Sequence, residues 1–324
     1  MSYSNPKYSI VAPVFNEEET LPEFYRRIYA VVQDLDSEVE LILIDDGSSD
    51  NSLALMREFQ ANESFIRVLS FSRNFGHQVA ITAGIDYAKG DAVIVIDSDL
   101  QDPPEVIHEL VSKWKDGAEL VLAVRSVRKG ESWFKRATAS FFYRVIDRLT
   151  ELHIPKDSGD FRLMDRKVVQ ALRQVREQHR FMRGLSVWVG FKRSEVEYVR
   201  DERFAGYSKY PLRRMLRFAT DGITSFSHVP MQLAMTLGFL FAGVALLGIP
   251  AIVVMRFSGN REFFGQATTL VSVLLLGGVQ LICLGIIGEY LGRIYNEVRR
   301  RPLYLISRKW GFEKDNEESP EHFV

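Results

Sequence analysis

The chain has 324 residues, with 41 Lys and Arg against 42 Asp and Glu. Its length suggests about two domains. The near-zero net charge excludes a uniformly basic surface built for a polyanion, so no nucleic-acid partner is expected. The single cysteine, Cys283, excludes an internal disulfide and a cysteine-based metal site. Charged residues are spread through 1–228, whereas Met231 to Met255 and Ala267 to Gly288 contain none. Each of these runs is longer than the ~20 residues that cross a bilayer core. Met1 to Asn5 carries no apolar signal-peptide core, so export of the N-terminal part by that route is not expected.

In chain order, Tyr8 to Pro13 (YSIVAP) reads as a first strand. A polar loop then leads into an amphipathic helix with Leu21, Phe24, Ile28, Val31 and Val32 at helical spacing. Val39 to Ile44 (VELILI) reads as a second strand and ends in the acidic loop DDGSSDNS. A helix over Asn51 to Ala61, a strand over Ile66 to Phe71 and a helix over Gly76 to Ala88 follow. Val93 to Ile96 is a short β-branched run of the kind buried on both faces in a parallel sheet. It stops at Asp97 and Asp99, followed by Gln101 and Asp102. A helix over Glu105 to Lys115 and a strand over Glu119 to Arg125 complete the alternation. Strands alternating with helices of this length specify an α/β domain with a mostly parallel sheet. The absence of G-x-G-x-x-G after the first strand argues against an ordinary dinucleotide fold.

Three strand ends carry polar loops: Pro13 to Glu17, Asp45 to Asp50 and Asp97 to Asp102. In a parallel sheet these converge on one edge, where ligands of open α/β sheets bind. Asp97, Asp99 and Gln101 offer oxygen ligands suited to a hard cation such as Mg²⁺ or Mn²⁺. Arg125 ends a strand on the same edge, and Arg128, Lys129, Lys135 and Arg136 come after it. Such a basic group beside an acidic one points to a second anion, since arginine presents a fork that matches phosphate.

The segments SIVAPVFNEE, LILIDDGSSDNS, RNFGHQVAITAG and VIDSDLQDPPE together resemble the family 2 glycosyltransferases with a GT-A fold. More narrowly, the chain from about Tyr8 to Pro302 is similar to polyprenyl-phosphate and dolichyl-phosphate sugar transferases. Within that group it is most similar to the bacterial bactoprenol glucosyltransferases with two C-terminal membrane helices. The resemblance implies that Pro13, Asn16, Glu17, Asp45, Asp46, Asp97 and Ser98 bind the nucleotide sugar. It implies that Asp97, Asp99 and Gln101 hold the metal. Arg125, Arg136 and Ser140 are expected to face an acceptor phosphate. The segment from Asp157 to Arg162 resembles the family's D-x-S/T-x-F-R-L, with Asp157 or Asp160 in the place of a general base. Asp157 is the preferred candidate, as a group that positions the acceptor or the metal at least as much as it removes a proton. Arg203 to Tyr210 resembles the R-x-x-G-x-S-K-Y loop, in which Arg203, Ser208 and Lys209 would close over the two phosphate groups.

Pro211 to Ser227 is amphipathic and basic, as expected of a helix lying on anionic lipid. Arg213, Arg214, Arg217, Arg293 and Arg299 to Arg301 outnumber Arg256 and Arg261 of the intervening loop. The positive-inside rule then puts both termini and the catalytic domain in the cytoplasm, on a multi-pass protein of the inner membrane. The expected division is 1–210 for the GT-A domain, 211–229 for the interfacial helix, 230–292 for two membrane helices and 293–324 for a basic flank with an acidic tail. Gly238, Gly243, Gly277, Gly278 and Gly285 would allow close helix packing, so a homo-oligomer is expected. The implied reaction moves a hexose, glucose by resemblance, from a UDP-sugar to an undecaprenyl-type phosphate in the bilayer, with inversion. A processive polysaccharide synthase is the alternative enzyme, and the missing Q-x-x-R-W motif argues against it. A silent nucleotide-sugar-binding scaffold is the alternative from another class, and the intact Asp97, Asp99 and Gln101 argue against that.

Overall fold

A computed structural model describes residues 6–126, 158–200, 231–232, 234–241, 243, 247 and 266–312. Asp157, Arg128, Lys129, Lys135, Arg136, Ser140, Arg203, Ser208 and Lys209 lie outside the described residues, as do the 211–227 helix and the acidic tail. The chain divides into two units, Met1–Leu212 with Arg301–Val324, and Arg213–Arg300.

The first unit is built on an eight-stranded sheet. Its strands are β1 (Tyr8–Val14), β2 (Val39–Asp45), β3 (Ile66–Phe71), β4 (Ala92–Val95), β5 (Leu120–Arg125), β6 (Ser158–Asp165), β7 (Arg193–Tyr198) and β8 (Ile306–Trp310). The helices of this unit among the described residues are α1 (Leu21–Asp34), α2 (Ser52–Asn62), α3 (His77–Tyr87), α4 (Ile107–Lys115), α5 (Arg166–Gln174) and α6 (Met182–Trp188). The strand order is β7-β5-β6-β4-β1-β2-β3-β8. β1, β2, β3 and β4 pair in parallel, which requires the crossover helices that the alternating pattern predicts. β1, β2 and β4 are buried along their whole lengths, because helices pack on both faces of such a sheet. α1 turns Leu21, Phe24, Ile28 and Val31 inward, at the spacing read from the sequence.

The strand order reverses between β1 and β4. β2 and β3 lie on one side of β1, and β4 lies on the other. The loops after β1 and β4 therefore flank a topological switch point, where a crevice opens at the carboxyl ends. β6 runs antiparallel between β4 and β5, with Val95 opposite Arg162 and Val124 opposite Ser158. Its first residues, Ser158 to Asp160, thus start at the edge where β4 and β5 end. β5 pairs in parallel with β7, setting Arg125 opposite Tyr198.

The alternating pattern did not predict β6, β7 or β8. β8 is the least expected, because it lies in the segment read as a basic flank. It pairs antiparallel with β3, Trp310 opposite Val68, and covers what would otherwise be an open sheet edge. Tyr304 stacks on Phe71 at 5.4 Å and donates a hydrogen bond to Asp86 at 2.9 Å. Gly311, at φ +78°, closes the strand where a Cβ would stand 2.5 Å from the Ile66 carbonyl oxygen.

In the second unit, α7 (Gln266–Val298) has 33 residues, about 50 Å at 1.5 Å per residue. Its Leu275–Val298 portion is long and apolar enough to cross a membrane, and is the one such helix among the described residues. Leu281, Ile282, Leu284 and Leu291 on it are exposed. The described residues of 231–247, where the sequence predicts another span, are helical.

Candidate active site

The loops that follow β1, β2 and β4 are tied to one another by side-chain hydrogen bonds. Asn16, at φ +54°, accepts a bond from the Ser49 amide at 2.8 Å, and its own amide donates to Ser48 Oγ at 3.1 Å. The Glu17 amide donates to Ser52 Oγ at 2.8 Å. Ser98, buried, donates to the Pro13 carbonyl oxygen at 2.9 Å. The three loops read from the sequence therefore do meet on one edge.

Asp45 and Asp46 are both buried. Asp45 accepts from the Ser48 amide at 2.9 Å and from Ser70 Oγ at 2.8 Å. Asp46 accepts from the amides of Phe75 and Gly76 at 2.7 and 2.9 Å. These acids close a turn and fix the entry to α3, whose preceding Gly76 has φ +103°. Burial pushes the Asp46 carboxyl up, against the pull of those amides. The sequence assigned both acids to a nucleotide, and the structure gives both of them bonds within the fold as well.

The start of α3 then supplies a residue that the sequence reading did not single out. His77 Nε2 lies 3.3 Å from Asp97 Oδ1 and 3.4 Å from Asp160 Oδ2. The ligand atoms of these three residues lie within 4.8 Å of one another. Asp160, 2% exposed, accepts from Arg183 Nε and Nη2 at 3.1 and 2.8 Å and lies 3.6 Å from Arg162 Nη2. Although its burial works the other way, Arg183, His77 and Arg162 hold the Asp160 carboxyl well below the usual carboxylate range. Burial, helped by Asp160, Asp102 and Asp99, pushes Asp97 up to about 6 despite His77. Burial opposes charge on His77, but Asp97 and Asp160 outweigh it and raise the imidazole to about 9. Of the two candidates for a general base, Asp160 is thus committed to arginines. That environment leaves it a weak base.

The loop after β4 turns through Leu100 at φ +59°, and the Gln101 amide donates to Asp99 Oδ1 at 3.1 Å. Asp97, Asp99 and Gln101 are each partly exposed on this edge. Asp97 Oδ1 is itself buried, and no aligned hydrogen bond reaches it among the described residues. An oxygen in that state is what a divalent cation satisfies, so the residues present fit a hard cation.

The opposite wall is basic. Arg125, with 12% of its side chain exposed, donates from Nε to the Tyr198 hydroxyl at 3.1 Å. Asp102, fully buried, accepts from Tyr198 at 2.5 Å. It also lies 3.6 Å from Arg125 Nη2 and 3.5 Å from Arg200 Nε. A Cβ on Gly159 would stand 2.8 Å from Arg125 Nη2, so the glycine lets the guanidinium lie over the start of β6. Of this group the sequence pointed to Arg125 and, within the acidic loop, to Asp102. Tyr198 and Arg183 lie on elements that carried no motif.

The carboxyl edge at the switch point of the sheet thus gathers carboxylates of three loops with arginines paired to Asp160 and Asp102. Comparison with known proteins defines the class. Residues 9–173 match the glycosyl transferase family 2 model. The chain is 48% identical over 307 residues to the uncharacterized glycosyltransferase YkcC of Bacillus subtilis, covering 95% of each chain. It is 43% identical over 302 residues to a bactoprenol glucosyl transferase of Shigella phage SfII, covering 93% of this chain and 98% of the phage protein. Among solved structures, glucosyl-3-phosphoglycerate synthase of Mycobacterium tuberculosis shares 22% identity, with a TM-score of 0.47 over 68% of this chain and 79% of that one. The chain belongs to glycosyl transferase family 2 and is a glycosyltransferase of α/β, GT-A architecture.

Proposed function

We propose that this glycosyltransferase moves one hexose, glucose, from a UDP-sugar to the phosphate of an undecaprenyl-type lipid. The observation that carries this reading is its 43% identity, over nearly the whole chain, to a protein named bactoprenol glucosyl transferase. The exposed apolar helix α7 supports a membrane-bound enzyme. In this reading 230–292 forms two spanning helices, 211–229 lies at the interface and 1–210 works on the cytoplasmic side. That is where the basic flanks would place it.

The acceptor phosphate oxygen attacks the anomeric carbon as the bond to UDP breaks and UDP leaves with the electron pair, with inversion. Pro13, Asn16, Glu17, Asp45 and Asp46 form the nucleotide side. Asp97, Asp99 and Gln101 would hold Mg²⁺ or Mn²⁺, which when bound would supply Lewis-acid stabilisation of the leaving diphosphate. Arg125, with Arg136 and Ser140, receives the acceptor phosphate, and Arg203, Ser208 and Lys209 close over both anions. A phosphate monoester is already largely dianionic at neutral pH. The task left to Asp157 is therefore orientation of the acceptor or the metal at least as much as proton removal.

The test is a panel of UDP-sugars incubated with the detergent-solubilised protein, a polyprenyl phosphate and Mg²⁺ or Mn²⁺, following lipid-linked sugar and free UDP. UDP-glucose is expected to give lipid-linked product only when lipid and cation are both present. UDP-sugar binding without UDP release under those conditions would mean a sensor rather than a transferase, and chains of sugar would mean a polymerase.

A further inference from the structure

Tyr198 is the middle member of a three-residue hydrogen-bonded chain. Arg125 Nε can only donate, so the Tyr198 oxygen accepts from it at 3.1 Å. The single phenolic proton is then left for Asp102 Oδ1 at 2.5 Å. The backbone fixes this arrangement. Arg125 and Tyr198 end paired strands directly opposite one another, and Ser126 donates to the Tyr198 carbonyl from its amide at 2.8 Å and its hydroxyl at 3.0 Å. Phe161 packs edge-on against the Tyr198 ring at 6.0 Å.

Neither Tyr198, 5% exposed, nor Asp102, 0% exposed, can reach a substrate. Arg125 keeps 12% of its side chain exposed. Burying a carboxylate this completely is costly unless its charge is used, and Asp102 keeps Oδ2 without a hydrogen bond among the described residues. Its charge faces guanidinium groups from two elements, Arg125 and Arg200. An arginine has a long stem with many rotamers, and its fork recognises phosphate only in a fixed plane.

We propose that Tyr198 and Asp102 are positioning residues for the acceptor side of the reaction. They hold the guanidinium of Arg125 by its Nε edge, in the one orientation that presents the Nη edge to the acceptor phosphate. This rests on the reading that Arg125 receives that phosphate, and the experiment separates the two ideas.

Full-length protein in detergent is assayed with UDP-glucose and a polyprenyl phosphate, each varied in turn. Tyr198→Phe is expected to raise the KM for the lipid phosphate about tenfold, the effect of losing a hydrogen bond to a charged group. The donor KM and the kcat at saturating lipid stay near wild type. Asp102→Ala gives a similar rise, and the double variant is no worse than either single, because the two residues act as one chain. Asp102→Asn restores only part of the loss, since its amide oxygen still accepts from Tyr198 but the charge facing Arg125 and Arg200 is gone. A purely structural role would instead lower Tm and kcat with the lipid KM unchanged, or give additive effects in the double variant, and either result overturns the proposal. If Arg125→Ala leaves the lipid KM unchanged, the acceptor reading of Arg125 fails and the positioning role falls with it. If Arg125→Ala raises that KM and Tyr198→Phe does not, only the positioning role is wrong.

Discussion

Asp160→Asn separates a counter-ion from a catalytic base. Asp160 is 2% exposed and is the only ion-pair partner of Arg162 among the described residues, at 3.6 Å. Arg162 has 3% of its side chain exposed. It makes its other bonds to neutral oxygens, including the Gly159 and Met182 carbonyls at 2.7 and 3.2 Å. Neutralising Asp160 leaves that buried cation uncompensated, a loss that costs about 3–5 kcal/mol when a buried pair is broken. Arg183 softens the loss, because 26% of its side chain is exposed and it can turn toward water. The lower end, about 3 kcal/mol, is therefore expected, or roughly 6–12 °C in Tm. Thermal unfolding followed by intrinsic fluorescence measures the shift. Initial rates well below the lowered Tm measure what the folded fraction still does. We expect a large fall in Tm and retained turnover. An unchanged Tm with abolished turnover would refute this reasoning and make Asp160 the base.

Asp99→Ala is expected to lower cation-dependent turnover at least about 100-fold, beyond the range seen when only a supporting partner of a metal ligand is lost, and chelation of divalent cation should do the same to the wild type; rates titrated with Mg²⁺ and Mn²⁺ check both. Asp157→Asn should lower kcat at every pH, as expected of a group that orients the acceptor. A rate recovered only at high pH would make it a general base instead. Tyr304→Phe removes the 2.9 Å bond to Asp86 and should cost about 1.5–3 kcal/mol, the range for a hydrogen bond to a charged group. It should leave both KM values unchanged, which denaturation and kinetics of the same preparation will show. Gly159→Ala puts a methyl 2.8 Å from the flexible end of Arg125, so the KM for lipid phosphate should rise while Tm holds.

The parallel half of the sheet was legible because burial on both faces leaves a simple trace. LILI of β2 and AVIV of β4 are continuous apolar runs between helices of clear period. β6 left no such trace. SGDFRLMD mixes charges with apolar residues, yet all but its last residue is buried, because Asp160 and Arg162 find partners on α6 that no local pattern announces. β7 does alternate, with Glu197 outward and Val196 and Tyr198 inward, but an edge strand of this kind reads equally as a polar loop. β8 is short and charged, and its partner β3 lies on the far side of α7 in sequence. A pairing of that kind is invisible to any window of neighbouring residues.

The same non-local strand explains what was missed in the site. Inserting β6 between β4 and β5 sets Asp160 beside Asp97, with His77 against both. The two carboxylates then diverge, Asp97 upward and Asp160 downward. Groups driven apart by their surroundings are the ones whose roles differ. Asp160 is answered by two guanidinium groups of the fold itself. Asp97 has the imidazole of His77 opposite it and further carboxylates around it. Among the described residues the fold thus answers Asp160 with two guanidinium groups and an imidazole, and Asp97 with that imidazole alone. That difference follows from the sheet order, which sets β6 beside β4, rather than from the D-x-D spacing alone.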